Sequence, residues 1–445
     1  MEIMFSHCAG LDVHKKRITA CRVPPDLTGQ QADGLLELQD FGTMTADLLV
    51  LSDWLAAAGV THVAMESTGE YWKPVFNILE ESFTVFLVNA SHGKQVPGRQ
   101  TAKADARWLA KLMRYGLLQA SFIPPAGQRD LRDLTRYRTK LVQERGREVN
   151  RVQGVLERAN IKLAAVATNI FGVSGRAILA ALIEGRADPA TMAEWAKGRL
   201  RSQVPLLEQA LTGLVRDHHC RLRTIQLAPL DFLDEPIDAL SAEITGVLTD
   251  LSGGEPPSTL ANPSPPAEPV VAPAPPQPPL TFARAVSLLD TIPGVNQRGA
   301  ELLVAEWGID MTRFGTAERL SAWSGVAPGS DESAGKQRSG TTRKGNRALR
   351  AGLTPLAHAA ARTKGPYLSA VYHRLAARRG KKRAILAVAH AIVVSAFHML
   401  SRNEPYRELG ANYFDEHRRH QRVDRLARRI ERLGDQVSLQ PVTAA

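Results

Sequence analysis

Residues 6–23, SHCAGLDVHKKRITACRV, set one acid inside an apolar run that turns back on itself. Leu11 and Val13 flank Asp12, polar residues gather at His14–Lys16, and a second apolar run follows, so the segment reads as a strand pair with a turn. Leu35–Met44 suits a third strand. Ala46–Ala58 has the spacing of an amphipathic helix through Leu48, Leu49, Leu51, Trp54 and Leu55. Thr61–Glu66 is a short buried strand, Tyr71–Glu81 a helix, Phe83–Ala90 (FTVFLVNA) a strand and Asp105–Leu118 a helix. The order is three strands, helix, strand, helix, strand, helix.

That order resembles the ribonuclease H-like fold, a mixed sheet with helices on its faces. An α/β domain is therefore expected over residues 1–125. Residues 127–251 read as helical, and their spread of charge, RDLRDLTRYRTKLVQERGREVNRVQGVLERAN at 129–160, fits either a coiled-coil-like helix or hairpin used for assembly or a plain solvated face. Residues 252–280 contain the Pro-rich tract GGEPPSTLANPSPPAEPVVAPAPPQPP, an extended linker with no core to bury. Residues 281–403 read as all-α. Within them LLDTIPGVNQRGAELLVAEWG (288–308) predicts helix, turn, helix around Pro293–Gly294–Val295. This is similar to helix-hairpin-helix modules, whose turn and second-helix N-terminus can hold a DNA phosphate; a plain structural corner is the other reading. Residues 404–445 form a charged tail.

The chain has 445 residues and a formal net charge of +11, which points to polyanionic partners. The charge is concentrated: from Ser333 to Asn403 there are fifteen Lys and Arg and no Asp or Glu. They include Lys336, Arg338, Arg343, Lys344, Arg347, Arg350, Arg378, Arg379, Lys381, Lys382 and Arg383. A one-signed surface of that extent repels itself unless phosphate neutralises it, with binding that weakens as salt rises. Three cysteines without a CxxC pair argue against a disulfide framework and a structural zinc site. The first ten residues lack the apolar run of a signal peptide. Ala384–Leu400 is apolar but shorter than the ~20 residues of a membrane span and carries His390 and His398, so a buried core helix is expected. These features predict a cytoplasmic protein with no membrane partner.

Asp12 ends a strand, Glu66 ends another, and Asp105 opens a helix. A lone Asp at such a place is usually a turn or cap residue. In a ribonuclease H-like sheet, however, carboxylates there converge to hold Mg²⁺ or Mn²⁺, which polarises a phosphate. Ser333 lies in GVAPGSDESAGKQRSGTTRKGNRALR (325–350). A serine hydroxyl needs electrostatic help to attack phosphate, and nearby Arg and Lys supply it. Spacing alone ranks Ser333 barely above Ser339 or an ordinary loop serine.

The longest motifs carry a resemblance. GLDVHKK at 10–16, MESTGEYWKPVFNILE at 65–80, VPGRQTAKADARWLAKLMRYGLL at 96–118, IPGV at 292–295, the 325–350 stretch and AARRGKKRAILAVAH at 376–390 resemble the DEDD transposases of the IS110 group of insertion sequences, specifically its IS1111 branch. The resemblance implies a RuvC-like N-terminal domain whose four acids bind Mg²⁺. It further implies a C-terminal serine, here Ser333, that forms a covalent phosphoserine link to DNA. It also implies homo-oligomers (dimers or tetramers) in which one subunit's serine completes another's acidic site, and a structured bridge RNA that pairs with donor and target DNA. One position departs: where the family carries two Asp at i and i+3, this chain has Ala102 and then Asp105. Two other readings follow, a RuvC-like metal-dependent nuclease in which Ser333 is a bystander, and a catalytically impaired nucleic-acid-binding relative.

Overall fold

The computed structural model describes residues 2–24, 35–66, 69–88, 102–184, 188–258, 260, 278–329, 331–333, 336–339, 342, 345–414, 423, 427–428 and 430–432; the bulk of the Pro-rich tract lies outside them. The chain divides into two compact units, Met1–Pro124 and Pro125–Ala445.

In the first unit, five strands form one mixed sheet in the order β3-β2-β1-β4-β5: β1 (Cys8–Val13), β2 (Ile18–Arg22), β3 (Glu37–Phe41), β4 (His62–Glu66) and β5 (Thr84–Val88). The first three pair antiparallel; β1, β4 and β5 run parallel, with Leu11 opposite Met65 and Glu66 opposite Val88. Helices α1 (Thr45–Ala57) and α2 (Trp72–Leu79) supply Leu48, Leu51, Leu55, Val75, Phe76 and Leu79 to a core shared with Leu11, Val13, Val63 and Met65. Strand residues one register position away, Cys8 and Ala64, pack instead with Leu109 and Met113 of helix α3 (Ala102–Arg114). Successive strand residues point to opposite faces, so the sheet is covered on both sides, as expected for this class. Gly10 sets how closely α3 lies on β1: a Cβ there would fall 2.3 Å from the Ala106 carbonyl oxygen and 2.4 Å from the Ala110 nitrogen. Helix α3 begins at Ala102, so Asp105 sits within its first turn rather than opening it.

The second unit is helical apart from one small hairpin. Helix α4 (Ala126–Arg158) is followed by α5 (Leu163–Val166), α6 (Val173–Glu184), α7 (Pro189–Glu194), α8 (Val204–Leu211) and the long α9 (Asp217–Asp250). Helices α4 and α9 run antiparallel: Gly127 lies by Leu251, Arg138 reaches Ser241, and Arg145 pairs with Asp234. The short helices between them close a separate core through Leu163, Ile178, Leu182, Met192 and Leu207. At the other end of the hairpin, Leu131, Ile244 and Leu248 join the large core of α10 (Phe282–Asp290), α11 (Gln297–Trp307), α12 (Ala317–Trp323), α13 (Arg347–Arg362), α14 (Tyr367–Arg379) and α15 (Lys381–Arg402).

Residues 288–308 form the expected helix, turn and helix. The turn is seated against α13, for Gly294 has φ +88° and a Cβ on it would fall 2.2 Å from the Ala360 nitrogen. Packing against α13 is what requires a glycine at this corner. Helix α15 is long and apolar enough to cross a membrane, yet Ala384, Val388, Ile392, Val393 and Ala396 are buried among its neighbours, the core helix expected.

Candidate functional site

Asp12 is the fifth residue of β1 and is 6% exposed. By the alternation of the strand it shares the α3 face with Cys8 and Gly10. Glu66 ends the neighbouring parallel strand one residue beyond the Leu11–Met65 pair, on the face that carries Ala64. Asp105 precedes Leu109 by one helical turn, on the side of α3 that meets the sheet. All three acids thus lie on one face, towards the carboxyl ends of parallel strands, where open α/β sheets bind their ligands.

The electrostatics bear on this pairing. Burial pushes the Asp12 carboxyl above its usual range, the His14 imidazole pulls it down, and the Asp105 charge pushes it up again. The fold thus keeps two like charges within reach of each other, an arrangement that a cation would relieve. His14 Nε2 lies 3.0 Å from Asp12 Oδ2. The sequence reading missed it, although it lies two residues after Asp12, just past the end of β1.

The donor chemistry suits a hard divalent cation, but the set does not close. Among the described residues no group of three or more His, Cys, Asp and Glu is placed to hold a metal ion. Asp105 acts on the Asp12 carboxyl by charge, and Glu66 shares their face of the sheet. Ala102 stands three residues before Asp105 on α3, and i,i+3 positions share a helix face. The carboxylate absent at 102 would have faced the same way.

Ser333 is the last residue of β6 (Asp331–Ser333), which pairs antiparallel with β7 (Lys336–Ser339). Its cross-strand partner is Lys336, and Arg338 is on the same strand as that lysine. The serine therefore sits at the turn end of a two-stranded hairpin, not in an irregular loop. Arg343 and Lys344 lie outside the described residues. Arg347 and Arg350 occupy the first turn of α13 and are exposed. Arg378 and Arg379 end α14, Gly380 turns with φ +81°, and Lys381, Lys382 and Arg383 open α15, all five exposed. Cations at a helix N-terminus oppose the helix dipole. Two helices of this unit start that way; α13 is capped by Asn346, whereas α15 has no side-chain cap, so at its start an anion would be favoured both by side-chain charge and by the first backbone amides.

Two expectations follow. In the cation-free protein, Asp12→Asn removes a charge disfavoured by burial and by Asp105. The folded-state carboxyl lies above its ordinary range, so the native state binds more protons between the two and stability falls as pH rises through the raised one. The variant should gain about 1 kcal/mol near pH 7, read by urea unfolding in EDTA, with the gain shrinking in acid. A loss of stability would show that the bond to His14 outweighs both penalties. For the basic corner, replacing Lys381, Lys382 and Arg383 together by Ala should lower the slope of log affinity against log salt for duplex DNA by about 3, near 0.9 per phosphate contact. An unchanged slope would place the DNA elsewhere.

Two family models match the chain. The DEDD_Tnp_IS110 transposase model covers residues 9–161, the sheet that holds the acids and the first long helix. The model described as "Transposase IS116/IS110/IS902 family" covers residues 286–373, including the serine hairpin. No curated protein matches. The chain carries two IS110-family transposase domains, and they support the role of a DNA-transposing enzyme.

Proposed function

We propose that the chain is an RNA-guided serine transposase that cuts and exchanges DNA strands through a phosphoserine intermediate at Ser333. The observation that carries this reading is the setting of Ser333: it ends a strand opposite Lys336 and begins a run of residues with fifteen cations and no acid. In the reaction, the serine oxygen attacks a backbone phosphorus and one P–O bond of the strand breaks. The departing strand leaves as a hydroxyl, having gained a proton while the serine loses one. The phosphoester link stores the energy of the broken bond, so a second strand's hydroxyl can reverse the step and be joined. Lys336, Arg338, Arg343, Lys344, Arg347 and Arg350 are the cations nearest in sequence for holding the phosphate and balancing its developing charge. Arg378, Arg379, Lys381, Lys382 and Arg383 form a second phosphate-binding surface.

Asp12, Glu66 and Asp105, a set left one acid short by Ala102, are the residues that would hold Mg²⁺ or Mn²⁺, which when bound would supply charge stabilisation to the attacked phosphate. The chain's own part there is to present acids at the edge of a rigid sheet, with His14 orienting Asp12. Donor and target DNA are the substrates. A structured bridge RNA and a dimeric or tetrameric assembly built on the α4–α9 hairpin complete the reading. The same reading gives residues 1–125 to the acidic domain, 127–251 to assembly, 252–280 to a linker, 281–403 to the serine domain and 404–445 to the tail.

A second reading, a nucleic-acid-binding relative with impaired catalysis, is favoured by Ala102 together with the lack of a three-acid group among the described residues. The primary reading predicts that Ser333→Ala abolishes strand exchange and leaves DNA affinity unchanged, measured by an exchange assay on element DNA beside a binding titration. Retained exchange in Ser333→Ala would refute it.

A further inference from the structure

The serine hairpin leaves the helical core and returns to it through a narrow neck. At the neck the backbone of Gly345 lies against Gly325, for a Cβ on Gly345 would fall 2.4 Å from the Gly325 nitrogen. Asn346 follows and donates its backbone N–H to the Trp323 carbonyl at 2.9 Å. Its side-chain oxygen accepts from Ala348 N and Leu349 N, capping α13 at 2.9 and 3.2 Å. Its side-chain amide donates to Glu306 Oε2 at 2.7 Å.

Glu306 is the unexpected partner. It sits on α11 with 0% exposure, in the apolar run LLVAEWG. An ionised carboxylate is kept in such a place only when it is paired and hydrogen-bonded. Arg136 of α4 grips it with both arms, Nε to Oε1 at 2.5 Å and Nη2 to Oε2 at 2.9 Å. Arg132, one turn earlier, lies 3.7 Å away, donates to the Ala305 carbonyl at 3.0 Å, and has its Cζ 5.9 Å from the centre of the Trp323 ring. A single carboxylate therefore joins the long hairpin helix to the neck from which the serine strand pair projects.

We infer that Glu306 is a positioning residue for Ser333, with Asn346 as its link to the hairpin and Arg136 as its link to α4. The inference rests on the reading of Ser333 as nucleophile. In chemical terms, Asn346 performs two tasks with opposite ends of one amide. Its oxygen caps the helix, and its nitrogen fixes the neck to the buried carboxylate. A substitution can separate them. Asn346→Asp retains a good N-cap but replaces the donor with a second carboxylate facing Glu306. The double variant Asn346→Asp with Glu306→Gln exchanges amide and acid, so that a donor again faces an acceptor.

The test measures the rate of covalent protein–DNA adduct formation and the DNA affinity of each variant, in the natural chain or, if that is silent, in an Ala102→Asp background. Asn346→Asp should slow adduct formation by about tenfold to a hundredfold, the range for a reacting group displaced by about 1 Å, with affinity unchanged. The double variant should recover part of that rate. Amide hydrogen exchange over residues 331–339 should accelerate in Asn346→Asp while α13 stays protected, which separates lost positioning from lost folding. An unchanged adduct rate in Asn346→Asp, or a rate lost only in proportion to affinity, overturns the inference. An adduct that survives Ser333→Ala instead overturns the reading of the serine, and no adduct in either background overturns both.

Discussion

A carboxylate with no solvent contact must be matched by charge and hydrogen bonds or be driven neutral, and Glu306 is matched from two directions. Arg132 and Arg136 reach it from α4 and Asn346 from the cap of α13. Desolvation draws the Arg132 guanidinium down to about 10 even with Glu306 beside it, a sign of how dry the contact is. A second buried pair, Arg138 with Glu301 at 2.6 Å, repeats the theme two residues beyond Arg136 on α4. Breaking such a pair strands a buried charge, at a cost of about 3–5 kcal/mol. The pairs therefore define register: α4 cannot slide along α11 without unmatching both. The corner at 293–295, the neck at Gly345 and the start of α13 all take their places from that alignment.

The first unit obeys a steric constraint instead. With no side chain at Gly10, α3 lies directly on β1, and its first turn comes to the edge where β1 and β4 end. The Asp12–Asp105 repulsion is what that closeness costs the fold. Sites built for charged ligands commonly sacrifice stability in this way, with titration shifted by burial and like charges.

Much of this was legible in the sequence. The eight elements of the first unit follow from apolar periodicity, because a sheet covered on both faces and helices with one buried stripe leave distinct patterns. The helix-turn-helix at 288–308 was legible for the same reason. Two things were not. The strands at Asp331–Ser333 and Lys336–Ser339 correct the expectation that 281–403 is all-α; at three and four residues of mostly polar sequence they are too short to show a period. The Glu306 network was hidden because Arg132 and Arg136 look like solvated helix charges in a sequence rich in them. The signal that existed was Glu306 itself, an acid alone in LLVAEWG: a charge that cannot be turned to water must have a partner. For the acidic site the sequence reading set Asp12 and Glu66 at strand ends and Asp105 at a helix start, without the face they share. Their incomplete convergence depends on strand and helix ends, which periodicity does not fix.

The claim at the centre of the account is serine chemistry on DNA phosphate. It is tested most directly by incubating the chain and Ala102→Asp with element DNA, its flanking noncoding RNA and Mg²⁺, then resolving the products on a denaturing gel and mapping any cross-linked peptide by mass spectrometry. The account predicts a covalent protein–DNA species attached at Ser333, stronger when Ala102→Asp adds the fourth carboxylate. Cleaved DNA with free ends and no attached protein, from both chains, would contradict it and establish a water-attacking nuclease in its place.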